Sequence, residues 1–250
     1  RELQRYWYLA SGRMLPIGTQ SGLPCFALGS PDQNPAIARL VAAGKLRWDP
    51  SALGDQGYVL KTVDDGGRRL TIAAGATGVG TLYAVYDLMG RYGFGFYLGG
   101  DALPPRGDPG FLDLNEVRTP ALKIRGSLPW YNFLNSPTTW NLADHRRFYD
   151  QMAKMRMNFV GFHAYDYEPF CAVPIDGQYR YGQPLQTTSQ SVWGTVPMKT
   201  SEFGFSTGDC FTREYFGADA AFDYDTPQQG IEQAQDVLSR GLAYARERGI

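Results

Sequence analysis

Two strand-like runs around a tight turn, followed by a glycine-rich corner and a helix, constrain this chain most strongly. The runs in "GYVLKTVDDGGRRLTIAAG" (57–75) flank the turn sequence DDGG, which is typical of a β-hairpin. The next residues, "ATGVGTLYAVYDLMG" (76–90), space their apolar side chains at the intervals of one helical face. The sequence therefore predicts a hairpin whose second strand turns through glycines into an amphipathic helix.

The glycine corner also has a functional interpretation. A strand, a glycine-rich turn and a helix cradle the pyrophosphate in dinucleotide-binding proteins, and Asp101 follows Gly80 at about the 20-residue separation of a ribose-binding acid. The hairpin opposes this interpretation, because a dinucleotide-binding fold needs parallel βαβ units. We therefore expect the glycines to let the helix pack closely on the sheet. A nucleotide-dependent oxidoreductase that uses the Gly75–Gly80 loop is the less favoured alternative.

Composition and charge exclude several classes of partner. The 24 basic and 25 acidic residues give a net charge of −1, so we expect no nucleic-acid partner and no anionic membrane surface. No apolar run approaches the ~18 residues of a membrane span. Three cysteines and two histidines show no zinc-ligand spacing, so we expect neither a metal nor a cofactor. A disulfide between Cys171 and Cys210 stays open at this point.

Cellular location and assembly are only weakly constrained by the sequence. The chain begins with a helical pattern and shows no signal peptide, but such a segment is removed in mature proteins. A secreted or periplasmic protein is slightly favoured, and the oligomeric state stays open.

A proline-containing stretch of low periodicity divides the chain. We predict an N-terminal α/β domain at 1–104, a linker at 105–119 and a second domain at 120–250. The second domain reads as strand, helix, strand and helix, which is the start of a parallel α/β array. Within it, His145 is expected on the polar, solvated side of the first helix. The long segment from about Pro169 to Asp225 exceeds an ordinary βα connection, so we expect it to be functional.

The N-terminal part resembles a known accessory domain. The stretches "ELQRYWYLASGRMLPI" and "GYVLKTVDDGGRRLTIAAGATGVGTLYAVYDLMGRYGFGFYLGGDALP" are similar to the small α/β domain that precedes the catalytic barrel in some glycoside hydrolases. The families concerned are the family 67 α-glucuronidases and the family 20 β-hexosaminidases. In these families that domain binds no nucleotide and packs on the barrel.

The second part extends the resemblance. "PALKIRGSL" looks like the first barrel strand, "FYDQMAKMRMNFVGFHAY" like the first helix and second strand, and "GLAYARERGI" like a helix running into the third strand. The implied fold class is α/β: a small α+β N-terminal domain followed by the beginning of a (β/α)8 (TIM) barrel. The implied activity is hydrolysis of polysaccharide-derived glycans, including those with uronic acids or amino sugars. A non-catalytic carbohydrate-binding protein is the alternative.

The resemblance also assigns candidate site residues. Catalytic carboxylates in these families lie on the fourth strand and later, so the main acid and base are expected beyond residue 250. Asp166 and Glu168, after the second strand, are the catalytic candidates within the chain, and the alternatives are that they hydrogen-bond substrate hydroxyls or cap a loop. Arg125 in the first strand and His163 near the end of the second match substrate-contacting positions. Their alternatives are a buried ion pair for Arg125 and a core histidine for His163.

Aromatic and amide side chains in the loops complete the predicted substrate site. Flat rings stack on sugar faces, and amides exchange hydrogen bonds with sugar hydroxyls, although tryptophans also pin loops to one another. The candidates in this group are Trp130, Tyr131, Asn132, Asn135, Trp140, Tyr165 and Trp193.

Overall fold

The chain is a mixed α/β protein, which confirms the predicted class at that level, and it divides into two compact units. The computed structural model describes residues 1–18, 25–129, 140–164, 168–180, 182 and 226–250, with the backbone of 192–193 and 198–199. Unit 1 comprises Arg1–Arg125 and Gln151–Arg156, and unit 2 comprises Gly126–Asp150 and Met157–Ile250.

Unit 1 is built on a four-stranded sheet in the order β1-β3-β2-β6. Its elements are α1 (Glu2–Ser11), β1 (Cys25–Leu28), α2 (Pro35–Ala42), α3 (Pro50–Leu53), β2 (Tyr58–Asp64), β3 (Arg69–Gly75), α4 (Gly78–Arg91), β4 (Gly95–Tyr97), β5 (Gly100–Ala102) and β6 (Asn115–Arg118). Strands β2 and β3 form the predicted antiparallel hairpin, with Val59 opposite Ala74. Strand β3 also pairs with β1 in parallel, a contact that the sequence analysis did not anticipate.

The sheet of unit 1 is covered by helices on both faces, because successive side chains of a strand point to opposite sides. Leu60 and Ala73 join a cluster with the buried side chains of α1 and α4. Val59 and Ala74 join a second cluster with Ile37 and other apolar residues of α2 and α3. The hairpin strands therefore alternate between two cores, which explains why nearly every residue of β3 is buried.

The stretch predicted as a linker supplies an edge strand to this sheet. Strand β6 lies within 105–119 and pairs antiparallel with β2. Just before it, the Thr62 amide donates to the Leu114 carbonyl at 2.8 Å, and the Thr62 hydroxyl donates to the Leu112 carbonyl at 2.8 Å. Because these bonds tie the stretch to the sheet, the first part of unit 1 extends to Arg125.

The described part of unit 2 contains a short parallel strand pair and two long helices. Its elements are β7 (Gly126–Ser127), α5 (Leu142–Lys154, whose last turn belongs to unit 1), β8 (Phe159–Val160), a 3₁₀ turn (Pro169–Cys171), β9 (Pro174–Ile175), β10 (Gln178–Tyr179), β11 (Val192–Trp193), β12 (Met198–Lys199) and α6 (Pro227–Glu247). Strands β7 and β8 are parallel, whereas β9–β10 and β11–β12 are antiparallel pairs. The described strands do not close into a barrel.

Helices α5 and α6 both begin with reciprocal caps. The Thr226 hydroxyl accepts from the Gln229 amide, and the Gln229 side chain accepts from the Thr226 amide. Asn141 and Asp144 exchange the same pair of bonds at the start of α5. None of the helices in the described part of the chain is long and apolar enough to cross a membrane.

Candidate functional site

In the glycine corner between β3 and α4, the helix packs directly against the sheet. The Thr77 hydroxyl caps α4 by accepting from the Gly80 amide at 3.0 Å. A Cβ added to Gly80 would lie 2.6 Å from the Gly57 carbonyl oxygen, and one added to Gly75 would collide with the backbone of Gly80 and Thr81. The glycines therefore serve the close approach of helix and sheet, which supports the packing interpretation.

Asp101, the residue that a nucleotide site would need for its ribose, is engaged inside unit 1. Its carboxylate accepts hydrogen bonds from Tyr6 at 2.7 Å, Gln151 at 2.9 Å and Lys154 at 3.0 and 3.1 Å. Burial raises the pKa of Asp101, but these hydrogen bonds outweigh burial and leave that pKa below its ordinary value. The same burial, reinforced by Asp101, raises the pKa of Tyr6. This carboxylate is thus engaged by groups of unit 1, which counts against Asp101 as the ribose-binding acid of the nucleotide alternative.

Two glycines of the corner should respond oppositely to alanine. We expect Gly75→Ala to lower the free energy of unfolding by about 1–3 kcal/mol, because its methyl group meets rigid backbone. Gly78→Ala is the matched control, since a Cβ there meets nothing within 4 Å, and alanine at this first helical position should raise the free energy of unfolding by up to about 0.5 kcal/mol. Urea unfolding of both variants measures the difference. Equal effects at the two positions would contradict the packing role.

Arg125 lies at the amino end of β7, and its guanidinium binds protein groups of unit 1. Nε and Nη2 donate to the Arg156 carbonyl at 2.9 and 2.7 Å, Nη2 donates to Gln56 at 2.6 Å, and Nη1 donates to the Leu122 carbonyl at 2.7 Å. The guanidinium also stacks 5.8 Å above the Tyr83 ring. These contacts favour a structural role for Arg125, since a sugar ligand would have to displace them.

His163 lies just past the opposite, carboxyl end of the β7–β8 pair. The Gly161 amide donates to the Ser127 carbonyl at 3.0 Å, and the His163 amide donates to the Pro129 carbonyl at 3.4 Å. These two bonds keep the chain after β7 beside the chain after β8, as far as Pro129 and His163. In parallel α/β folds, ligands bind at the carboxyl ends of the strands. His163 is half-buried at this edge, and its substrate contact stays a prediction.

Glu168 follows β8 and is buried, with 3% of its surface exposed. It stands immediately before the 3₁₀ turn, whose first bond runs from the Cys171 amide to the Glu168 carbonyl at 3.2 Å. On the side of α6, the Gln235 amide nitrogen donates to the carbonyls of Pro169 and Ala172. Gln235 is a contact that the sequence does not reveal, because a lone glutamine in a helix carries no signal of a partner 66 residues away.

Trp140 packs against helix α5. Its ring lies 5.2 Å from His145 in an edge contact and 4.9 Å from Phe148. This arrangement matches the alternative in which a tryptophan pins a loop, and it leaves the predicted sugar contact of Trp140 as a prediction.

His145 is buried, which corrects the expectation that it is solvated. Only 2% of its surface is exposed, and its ring stacks on Tyr149 with centroids 5.9 Å apart. Gly241 of α6 comes so close that an added Cβ would lie 3.1 Å from the ring. Burial lowers the pKa of His145 to about 4 and raises the pKa of Tyr149. The expectation failed because α6, a helix remote in sequence, covers this side of α5.

Several predicted site residues lie outside the described part of the chain. These are Trp130, Tyr131, Asn132, Asn135, Tyr165 and Asp166, together with the side chain of Trp193, whose backbone belongs to β11. Cys210 also lies outside it, whereas Cys171 is exposed. The predicted roles of these residues, and the pairing of Cys171 with Cys210, therefore stay predictions.

Unit 1 contains a cavity of about 700 Å³ between α1, β1 and the 108–111 segment. Among its polar lining residues, Gln4 donates to the Leu15 carbonyl at 2.6 Å and Asn34 caps α2 through the Ala36 amide. These side chains are thus used by the fold. Within the described ranges, no group of three or more histidine, cysteine, aspartate or glutamate side chains could hold a metal ion.

Comparison with known proteins leaves the family open. No protein-family model matches the sequence, and no curated protein matches it. The resemblance to glycoside hydrolases therefore stays a prediction from the quoted residues.

Proposed function

We propose that this chain belongs to a glycoside hydrolase, with unit 1 as its accessory domain and unit 2 as the start of a (β/α)8 barrel. The observation that carries the proposal is the β7–α5–β8 unit, in which two parallel strands flank a helix and His163 and Glu168 follow the second strand. Helix α6 then follows a long segment, in the order that a barrel requires.

The proposal assigns sugar binding to the carboxyl edge of the β7–β8 pair. His163 can exchange hydrogen bonds with sugar hydroxyls, and the buried carboxyl group of Glu168 can accept from them or take part in the chemistry. The aromatic and amide residues that follow each strand in sequence would supply stacking surfaces. Arg125 is left out, because it precedes β7 and binds backbone carbonyls.

The reaction itself would need two carboxyl groups on either side of the glycosidic bond. One protonates the leaving oxygen, and the other attacks the anomeric carbon or activates a water molecule. By the resemblance, this pair belongs to later strands of the barrel, with Asp166 and Glu168 as the nearest candidates in this chain. The substrates would be polysaccharide-derived glycans, including those with uronic acids or amino sugars.

A carbohydrate-binding protein without catalysis is the second candidate. Glu168 is the only candidate carboxyl group at this edge among the described residues, and hydrolysis usually needs two. The same stacking surfaces and hydrogen-bonding groups serve binding and hydrolysis alike, so only turnover separates the two candidates.

A substrate screen with one site variant tests the proposal. In a protein that carries the complete barrel, we expect turnover or binding of an aryl glycoside, an aryl uronide or an oligosaccharide of the matching sugar, measured by released chromophore and by calorimetry. We expect His163→Ala to weaken binding about tenfold, the equivalent of one hydrogen bond of about 1.4 kcal/mol. Gln228→Ala, on the exposed face of α6, is the control and should bind as the wild type does. The absence of both binding and turnover across the whole screen would refute the proposal. Binding without turnover would favour the second candidate.

A further inference from the structure

One side chain of α6 braces the turn that follows Glu168. The Nε2 group of Gln235 donates to the Pro169 carbonyl at 2.8 Å and to the Ala172 carbonyl at 2.7 Å. Its Oε1 atom accepts from the Tyr179 hydroxyl at 3.4 Å. One carboxamide therefore links the helix, the turn and strand β10 within unit 2.

The two donor bonds grip opposite ends of one turn. Pro169 opens the 3₁₀ turn and Ala172 ends it, and the Ala172 amide donates back to the Pro169 carbonyl at 3.2 Å. Pro169 and Ala172 are both buried, as is Glu168 directly before them. A short turn with only its own bonds opens easily, whereas a turn held from outside at both ends keeps the preceding residue in place.

Glutamine is the side chain that this geometry requires. A neutral carboxamide carries two N–H donors and an acceptor, and Gln235 uses both donors and the acceptor. Glutamate at this position would keep the acceptor but, when ionised, would face two carbonyl oxygens without a proton to donate. Leucine would fill similar space and make none of these bonds.

We propose that Gln235 is a positioning residue for the sugar site, holding the Pro169–Cys171 turn so that Glu168 keeps its place after β8. The inference rests on the proposed function, because it takes Glu168 as a residue that contacts sugar. Gln235 itself touches no substrate and acts through the turn. Loss of its donors should therefore weaken sugar binding and leave the rate of the bound complex nearly unchanged.

Hydrogen exchange tests the bracing independently of any sugar. In Gln235→Leu, we expect the amides of Cys171 and Ala172 to exchange roughly tenfold faster, the equivalent of about 1.4 kcal/mol for two lost hydrogen bonds. Gln235→Glu should match Gln235→Leu, because both lack the donors, while Tyr179→Phe removes only the third bond and should change exchange less. Gln228→Leu is the control on the same helix, since within the described residues the side-chain amide of Gln228 bonds to Glu232 on the exposed surface. Circular dichroism confirms that each variant is folded.

Sugar kinetics then test the positioning role. With a substrate identified by the screen, we expect Gln235→Leu to raise KM, or Kd where there is no turnover, about tenfold, with kcat changed less than twofold. Unchanged exchange in the turn would overturn the bracing, and faster exchange with unaltered KM or Kd would overturn the positioning role. If the wild-type protein handles no sugar, the proposed function fails and the positioning role with it, while the exchange result still decides whether Gln235 holds the turn.

Discussion

We expect the Lys154→Met substitution to lower the free energy of unfolding by about 3 kcal/mol, because it leaves the half-buried Asp101 carboxylate without its cation. The two side chains are 8% and 15% exposed, and the ammonium group lies 3.0 Å from the nearer carboxylate oxygen. Methionine matches the length and volume of lysine, so the loss reports on the charge and leaves the packing nearly intact. Urea unfolding at pH 7 measures the change.

The hydrogen-bonded surroundings of Lys154 explain the expected size of this effect. Lys154 also donates to the Gln151 side chain, and its ammonium group lies 5.9 Å from the Tyr6 ring. Once the cation is removed, Tyr6 and Gln151 cannot neutralise the charge that remains on Asp101. The carboxyl group must then take up a proton or draw in water, and both outcomes cost stability.

Lys45→Met is the matched control, because Lys45 is 45% exposed and lies 4.0 Å from Asp65. An exposed pair of this kind contributes about 0–1 kcal/mol. Similar losses in the two variants would show that Asp101 does not depend on a buried cation. A second variant, Asp101→Asn, removes the negative charge that Lys154 neutralises. Combined with Lys154→Met, it should restore part of the lost stability. If the double variant does not recover stability, that result would also count against the ion pair.

The parts of the fold that the sequence predicted well depend on neighbours in the chain. The β2–β3 hairpin follows from a turn of four residues, and the corner at Gly75 and Gly80 follows from strand, glycine and helix in direct succession. The caps of α5 and α6 are likewise local, since each joins residues three positions apart. Local signals of this kind need no knowledge of the tertiary structure.

The parts that the sequence did not predict depend on contacts between distant segments. Lys154 and Asp101 are 53 residues apart, and only packing brings the end of α5 to the β4–β5 pair. His145 looked solvated because its cover, Gly241, is supplied by another helix. For Arg125, the resemblance suggested a sugar contact, whereas in the structure its guanidinium donates to backbone carbonyls of distant segments. The local sequence around these residues does not reveal their burial or their partners, because both are set by the tertiary structure.

We expect the protein to lose about 3 kcal/mol of its free energy of unfolding as the pH falls from 6.5 to 4, and His145→Phe to remove most of that loss. Burial holds the pKa of His145 at about 4, whereas an unfolded chain has its ordinary value of 6.5. Between these values the unfolded state binds a proton that the folded state does not, so stability falls as the pH falls. Each pKa unit corresponds to about 1.4 kcal/mol, which gives the stated size.

The variant isolates the imidazole from the other acid-sensitive groups. Phenylalanine keeps a flat ring against Trp140, Tyr149 and Gly241 and cannot take up a proton, so at pH 7 it should lie within about 1.5 kcal/mol of the wild type. Asp101 also loses its stabilising effect in acid, but its pKa is below the ordinary value, so that loss comes at about pH 4 and lower. Urea unfolding followed by near-ultraviolet circular dichroism, at pH values from 7 to 4, therefore separates the two groups. Wild-type and variant curves that stay parallel across pH 6.5 to 4 would show that His145 is not the group whose protonation opposes folding.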